Sequence, residues 1–396
     1  MRALVLVLGD LGRSPRLLAH AASLLRAGHD VHLVGGMRTA LPTGLAGEAR
    51  LHVHALALGE AGGGAGLAGS LATGLRGLRL GWGLTRVLLS ATPRPDLILL
   101  QSPPALPTFP VAIIAARLRG AKLIVDWHNL GWTLLALRFG ASHPLVRFTR
   151  WAERFFGRRA DAHVAVSHRL ARHLQGWGLG DVAVLHDGPS AVRAFPRARD
   201  DLPDDPLVVV APMGWTRDDD LSLLSDALGL LVRRMEATPG NRRGVRLLLS
   251  GDGPLRAKWG TTLRAIGGAA LWVETPNVAP HDYPHLLAGS HLGLCVHRSS
   301  SGLDLPMKIV ELQTVGVPVL ALNDGSPHEE IAPRGSGIAS FATAEELAGH
   351  LFVALTRSDD GSDFLAQLTA QARARRPVSW DEQWSSVMPS LLPPTA

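Results

Sequence analysis

The chain has 396 residues, 46% of them hydrophobic and 19% charged, which is apolar material for about two domains and excludes global disorder. Its net charge of +6 is uneven: residues 1–198 hold 23 Lys and Arg against 10 Asp and Glu, and residues 199–396 hold 17 against 24, giving +13 and −7. Such a split points to two domains with different partners, and the one cysteine, Cys295 in an apolar run, excludes an intramolecular disulfide.

From Met1 to Gly36 the pattern is a βαβ unit. Ala3–Leu8 is an apolar run suited to a buried parallel strand, GDLGR (9–13) is a glycine-bearing loop, and Ser14 and Pro15 read as a cap and a first-turn proline. Gly28 closes the helix before a strand at Val31–Val34. The first apolar run is too short for a signal-peptide core or a membrane span, so a cytosolic protein without a transmembrane anchor is expected. The loop lies at the carboxyl end of a strand, where open α/β sheets bind ligands, which makes Asp10, Gly12 and Arg13 candidates.

Residues 61–95, rich in Gly and Leu, carry Arg76, Arg79, Arg86 and Arg94 with no acid, and read either as a packed helix or as a basic segment lying on a membrane. Strands are expected at Asp96–Leu100 and Lys122–Val125, with a helix from Phe109 to Arg119 between them. The second strand opens into DWHNLGW (126–132), which sets Asp126 and His128 among aromatics at a strand end, the composition of a site floor. Residues 138–159 then interleave six arginines with Phe139, Phe148, Trp151, Phe155 and Phe156 against Glu153 alone, the strongest candidate for a membrane-facing amphipathic helix. Nucleic acid, the usual partner of a basic chain, has no recognition module here.

His163–Val166 and Val182–Leu185 end the first half. Asp187–Pro206, with four prolines and four acids between 200 and 205, reads as linker. A second alternation has strands at Leu207–Ala211, Val245–Leu249, Leu271–Val273, His291–His297, Pro318–Leu322 and Gly337–Phe341. The expected domains are therefore 1–190 and 207–378, joined by a linker at 191–206 and followed by a helix in 379–396 free to pack back on the first domain. Arg217 precedes Asp218, Asp219 and Asp220. An acidic pair can hold a divalent metal across a diphosphate, but three acids directly before an apolar-periodic run read as a helix cap and acidic first turn, so no metal is expected.

The chemically densest stretch is SSSGLDLPMKIVE (299–311). Small hydroxyls and Gly302 lead into a helix with Pro306 in its first turn and Gly316 just past its end, which leaves free N–H groups to seat an anion such as a diphosphate. Lys308 and Glu311 are three apart and share a face, so a cation near the phosphates and a carboxylate for ribose hydroxyls can meet one nucleotide.

GDLGRSPR, DWHN, GWTRDDD (214–220), SGDGP (250–254), SSSGLDLPMK and WDEQW (380–384) occur in this order over nearly the full chain. Together they resemble the chitobiosyldiphosphodolichol beta-mannosyltransferase family. The resemblance implies a GT-B fold, two Rossmann-like doubly wound α/β domains facing across a cleft. It also implies metal-independent, inverting transfer of mannose from GDP-mannose to a lipid-diphosphate-linked sugar at the cytosolic membrane face. Eukaryotic members carry an N-terminal membrane anchor, whereas here the first strand opens the chain, which leaves peripheral contact with anionic lipid through the basic segments near 76–94 and 138–159. The Arg- and Ala-rich, lysine-poor composition suggests a bacterial homologue acting at the inner face of the cell membrane. Retaining GT-B enzymes carry two glutamates eight apart before the same helix; Leu303 stands at the first position and Glu311 at the second.

The expected donor-binding set is Gly12, Arg13, Gly214, Arg217, Gly253, Ser301, Gly302, Leu303, Asp304, Lys308 and Glu311, with no cofactor. Asp10 is the first choice for the general base and His128 the second, with Asp126 orienting His128 or its loop. A transferase for another nucleotide sugar, a sugar-nucleotide epimerase and a non-catalytic nucleotide-sugar-binding membrane module are the alternatives.

Overall fold

The computed structural model describes residues 1–58, 67–190, 192–238, 240, 242–356 and 363–394, with backbone alone at 67–76 and 91. Residues 61–66 and the Arg76 side chain of the expected basic segment, and Ala191 of the expected linker, lie outside the described residues. The chain divides into two compact units, Met1–Arg193 with Ser379–Ala396, and Ala194–Val378.

In unit 1 the described strands are β1 (Arg2–Asp10), β2 (Asp30–Gly36), β3 (Leu51–Ala55), β4 (Leu97–Ser102), β5 (Lys122–Trp127), β6 (Ala162–Ala165) and β7 (Val182–Val184). They form one parallel sheet in the order β3-β2-β1-β4-β5-β6-β7. The central strands are apolar throughout because helices cover both faces of a doubly wound sheet. These helices are α1 (Pro15–Arg26), α2 (Leu67–Arg86), α3 (Thr108–Arg119), α4 (Gly131–Phe139), α5 (Pro144–Gly157) and α6 (His168–Gly176). Ser14 stands at the N-cap of α1, yet its hydroxyl accepts nothing from the helix and instead donates to the Asp10 carbonyl at 2.9 Å, tying the loop to the strand it leaves.

Two features of unit 1 depart from the sequence expectation. β3 is an edge strand with only alternating partial burial, and its His52 and His54 stack on His32 of β2, so LHVHA carries no apolar run to announce it. The arginine-rich stretch 138–159 is not one helix: α4 ends before Gly140, which takes φ 86°, and α5 restarts at Pro144 behind His143.

Unit 2 holds β8 (Leu207–Pro212), β9 (Val245–Ser250), β10 (Leu271–Glu274), β11 (Leu292–Cys295), β12 (Val319–Leu322) and β13 (Ile338–Phe341), all parallel, in the order β10-β9-β8-β11-β12-β13. Around them pack α7 (Leu221–Ala237), α8 (Arg256–Ala265), α9 (Tyr283–Ala288), α10 (Met307–Val315), α11 (Ala344–Leu355) and α12 (Phe364–Ala374). Part of the stretch read as linker belongs to this unit. Phe195 and Ala198 pack on its second core, and the Ala198 and Arg199 amides donate to Val315 and Ala288.

The last helix, α13 (Trp380–Val387), belongs to unit 1. Ser379 and Glu382 form a capping box at its start, and Trp380, Trp384 and Met388 enter the core that α1 and the first strands build. Trp380 donates its indole N–H to Ser23 at 3.1 Å, and Trp384 donates to His20 Nδ1 at 3.2 Å. Trp380 is 1% exposed, so Trp380→Ala is expected to cost about 3–5 kcal/mol. Urea unfolding of the full chain followed by far-UV dichroism checks this; a loss below about 1 kcal/mol would mean the pocket collapses without penalty.

Candidate active site

In each sheet the strand order reverses at one place, between β1 and β4 and between β8 and β11. Crossover helices diverge there, and the loops after those strands enclose a crevice at the carboxyl ends. In unit 2 these loops are GWTRDDD after β8 and HRSSSGLDLP after β11.

The GWTRDDD loop owes its shape to close backbone packing. Trp215 is fully buried and takes φ 50°, which costs strain for a residue with a Cβ. A Cβ placed on Gly253 would lie 2.0 Å from the Gly214 carbonyl, so only glycine lets the SGDGP loop press against it. Arg217 is exposed on this loop. The three acids are committed separately. Asp218 lies 3.5 Å from His297, Asp219 takes the Gly214 amide at 2.7 Å and Lys308 Nζ at 2.5 Å, and Asp220 caps α7 and pairs with Arg298 at 2.7 Å. The cap expected for this cluster is therefore made by Asp220 alone.

The second loop folds on its own hydroxyls. Ser299 Oγ accepts the Gly302 amide at 2.8 Å, Ser301 Oγ accepts the Leu303 amide at 3.1 Å, and both hydroxyls donate to the buried Asp304 carboxylate. Gly302 takes φ 69°, the left-handed turn that glycine permits. α10 then starts behind Pro306 with no side-chain cap and ends at Gly316, φ 83°. A helix start of this kind presents N–H groups and the positive end of its dipole to an anion. Lys308 lies in its first turn with its side chain 21% exposed, and Glu311 one turn on accepts the Tyr283 hydroxyl at 2.7 Å.

In unit 1 the loop after β1 holds Asp10 in a cradle. Its Oδ1 accepts the Arg38 and Thr39 amides at 3.1 and 3.2 Å, and its Oδ2 accepts the Thr39 hydroxyl at 2.6 Å. Partial burial opposes the charge, but these bonds and the Arg13 cation outweigh it and hold the carboxyl below its ordinary value. Gly12 lies under that cradle: a Cβ there would meet the Thr39 carbonyl at 2.6 Å, so its place is to admit the 38–40 backbone. Arg13 is exposed beside it.

Beneath the DWHNLGW loop lies a buried charge cluster. Arg16 of α1, 2% exposed, binds Asp126 through Nε and Nη2, both at 2.7 Å, and binds Asp187 and the Leu185 carbonyl through Nη1, both at 2.9 Å. Burial alone would raise both carboxyls and lower Arg16; the mutual charges overturn this, so both acids are held low and Arg16 high. His20 lies 3.4 Å from Asp126 but is fully buried, and burial pushes its imidazole down. His128 Nε2 lies 3.5 Å from Asp187 Oδ2, with its side chain 23% exposed. Asp126, expected to orient His128, is instead bound by Arg16 and His20. Its side chain is 1% exposed, which keeps it from reacting with substrate; Asp187 is the acid that meets His128.

Arg16, His20, Asp187 and Tyr283 were not among the sequence candidates. Arg16 ends the GDLGRSPR motif, which is the signal for it in the sequence; Asp187 follows a strand end but lies in the proline-rich run whose composition is that of a linker.

A family model described as a glycosyl transferase 4-like domain matches residues 12–188. The chain is 30% identical to human chitobiosyldiphosphodolichol beta-mannosyltransferase, an overlap covering 98% of this chain and 91% of the relative. It is 28% identical to an Arabidopsis thaliana protein named UDP-glycosyltransferase TURAN, covering 99% and 97%. Among solved structures, a glycosyltransferase from Rickettsia africae superposes with a TM-score of 0.60 at 13% identity, covering 97% of this chain and 96% of that one, a likeness of fold alone. The relatives make this chain a glycosyltransferase, which takes a nucleotide-sugar donor and a glycan acceptor, and its two doubly wound units have the GT-B fold. Within that class, the chain belongs to the chitobiosyldiphosphodolichol beta-mannosyltransferase family.

Glu153 of α5 anchors the same loop from below. Its Oε1 accepts the Gly131 amide at 2.7 Å at the start of α4, and burial pushes its carboxyl up to about 8 against an ordinary 4.5, despite the bonds from Gly131 and Trp132. The folded state therefore favours the proton while the unfolded state ionises. Stability falls as pH rises from 4.5 to about 8 and is level above that. Thermal melts of Glu153→Gln against the parent across this range should show a gap in favour of the variant that widens with pH; a constant gap rejects the assignment.

Proposed function

We propose that this protein transfers mannose from GDP-mannose to a lipid-diphosphate-linked sugar with inversion at the anomeric carbon and without a metal. The observation that carries the reading is the uncapped start of α10 with Lys308 in its first turn and Glu311 on the same face, behind the Gly302 loop. Diphosphate oxygens accept from the helix N–H groups and Lys308, and Glu311, oriented by Tyr283, accepts from ribose hydroxyls. Independence from a metal is supported by the separate commitments of Asp218, Asp219 and Asp220 to His297, Lys308 and Arg298.

For the base the balance favours His128 over Asp10. Asp10 spends its lone pairs on three donors and has its basicity lowered by them, while His128 is partly exposed beside an ionised acid. His128 takes the acceptor hydroxyl proton as that oxygen attacks C1 of mannose. The C1–O bond to the diphosphate breaks on the opposite face, and GDP leaves with its charge held at α10.

A donor panel is the first test, because one relative's name speaks of a UDP-sugar and others of mannose transfer. Turnover with GDP-mannose that persists in excess EDTA supports the reading; preference for a UDP-sugar or dependence on Mn²⁺ rejects it. Lys308→Ala is expected to weaken GDP binding by at least about tenfold. His128→Ala is expected to lower kcat by about 10²–10⁴ with GDP affinity unchanged, and Asp10→Asn to lower it far less.

Peripheral membrane contact belongs to the same proposal. Among the described residues no helix is long and apolar enough to cross a membrane. α5 buries Val146, Thr149, Ala152 and Gly157 and exposes Phe148, Trp151 and Phe155, stacked at 5.6 and 4.8 Å, beside Arg147, Arg150 and Arg154. Aromatics at headgroup depth flanked by cations suit an anionic bilayer surface. Co-sedimentation with phosphatidylglycerol vesicles should fall in a Phe148→Ser/Trp151→Ser variant; equal binding by the variant, or by neutral vesicles, counts against this face.

A further inference from the structure

We infer that Asp187 is the positioning residue of the reaction, holding His128 in register and drawing the proton onto its imidazole. The inference rests on the reading of His128 as the base, and its own ground is charge balance in the buried cluster. Arg16, Asp126 and Asp187 are each nearly inaccessible, and one guanidinium faces two carboxylates, so the trio carries an excess negative charge. Asp126 takes the two-armed grip of Arg16, Nε and Nη2 on its two oxygens, whereas Asp187 receives only Nη1, on Oδ1. The less compensated oxygen is Asp187 Oδ2, and 3.5 Å from it lies His128 Nε2.

Two imidazoles border the cluster, and they differ in what they can do. His20 is fully buried, and its Nδ1 accepts the Trp384 indole N–H, so its one proton sits on Nε2 toward Asp126. It cannot exchange a proton with a substrate. His128 stands at the accessible edge of the cluster. A proton arriving on His128 cancels the excess charge, and transfer of that proton to solvent after release of the product restores it. Asp187 gains nothing and loses nothing covalently; it keeps its charge throughout, secured by Arg16 from α1, with the ionised Asp126 of β5 and the neutral His20 of α1 in the same cluster.

The WDEQW motif gains a role in this scheme. Trp380 lies over the Arg16 guanidinium, 5.3 Å from its carbon to the ring centroid, and edge-on to His20 at 4.8 Å. The C-terminal helix thus closes the cluster against water, which sustains its electrostatics.

The test compares Asp187→Asn, His128→Ala and the double variant of the full chain. The substrates are GDP-mannose and chitobiose diphosphate on a short isoprenoid, with thermal melts taken first. Asp187→Asn should lower kcat by about 10–100-fold at unchanged donor KM. It should also move the acidic limb of the kcat profile to lower pH, because the lost charge no longer favours the imidazolium. In the His128→Ala background the same change should add no further loss. If His128→Ala is severely impaired while Asp187→Asn keeps full kcat or its acidic limb, or if the two losses multiply, the inference falls and the base assignment stands. If His128→Ala turns over normally, the base assignment falls and the inference with it. Should Asp187→Asn melt below the assay temperature, Asp187→Ser is judged on the same limb and the same double-variant comparison.

Discussion

One buried guanidinium organises the first unit. Arg16 reaches from the first helix to an acid ending β5 and to another just past β7, and it takes the Leu185 carbonyl as well. Stripping three charges of water is costly, and it is offset only because the hydrogen bonds are short, the Asp126 pair is bidentate and Trp380 covers the assembly. Losing Arg16 would leave two carboxylates charged and unpaired, so the ends of β5 and β7 depend on the helix that carries it and on the last helix that covers it. That buried floor carries His128 at its accessible edge.

The second unit solves a different problem by a different means. The seat proposed here for a nucleotide diphosphate needs donors that stay accessible, because the ligand would bring its own charge. The cations are accordingly paired near the surface: Lys308 with Asp219 and Arg298 with Asp220. Backbone does the shaping, through Gly302 in a left-handed turn and Gly253 pressed on Gly214. Both units place these loops where the strand order reverses, which is the place a parallel doubly wound sheet leaves open.

Local chemistry made much of this legible. Apolar runs located the strands whose two faces are covered, and proline and glycine marked the ends of α10. Legibility failed where burial is partial or where a partner is remote. β3 shows histidines instead of an apolar run because it lies at the sheet edge. Phe195 and Ala198 read as linker because proline-rich composition does not disclose that a chain docks on a core. Gly12 and Asp304 sit in loops expected to bind the donor but face inward, one beneath the 38–40 backbone and the other toward serine hydroxyls.

The sequence by itself determined the two-unit α/β class and the family, because hydrophobic periodicity, turn residues and short motifs act over a few neighbouring residues. Only the tertiary structure decided which acid lies beside which histidine. Asp126 and His128 are two apart in the chain, yet alternate residues of a strand end and its loop need not share partners. Arg16 claims Asp126 across 110 positions, and Asp187, from a strand two places over in the sheet, takes up His128. Electrostatic pairing in a buried site is settled by distance and desolvation in three dimensions, and sequence separation carries neither.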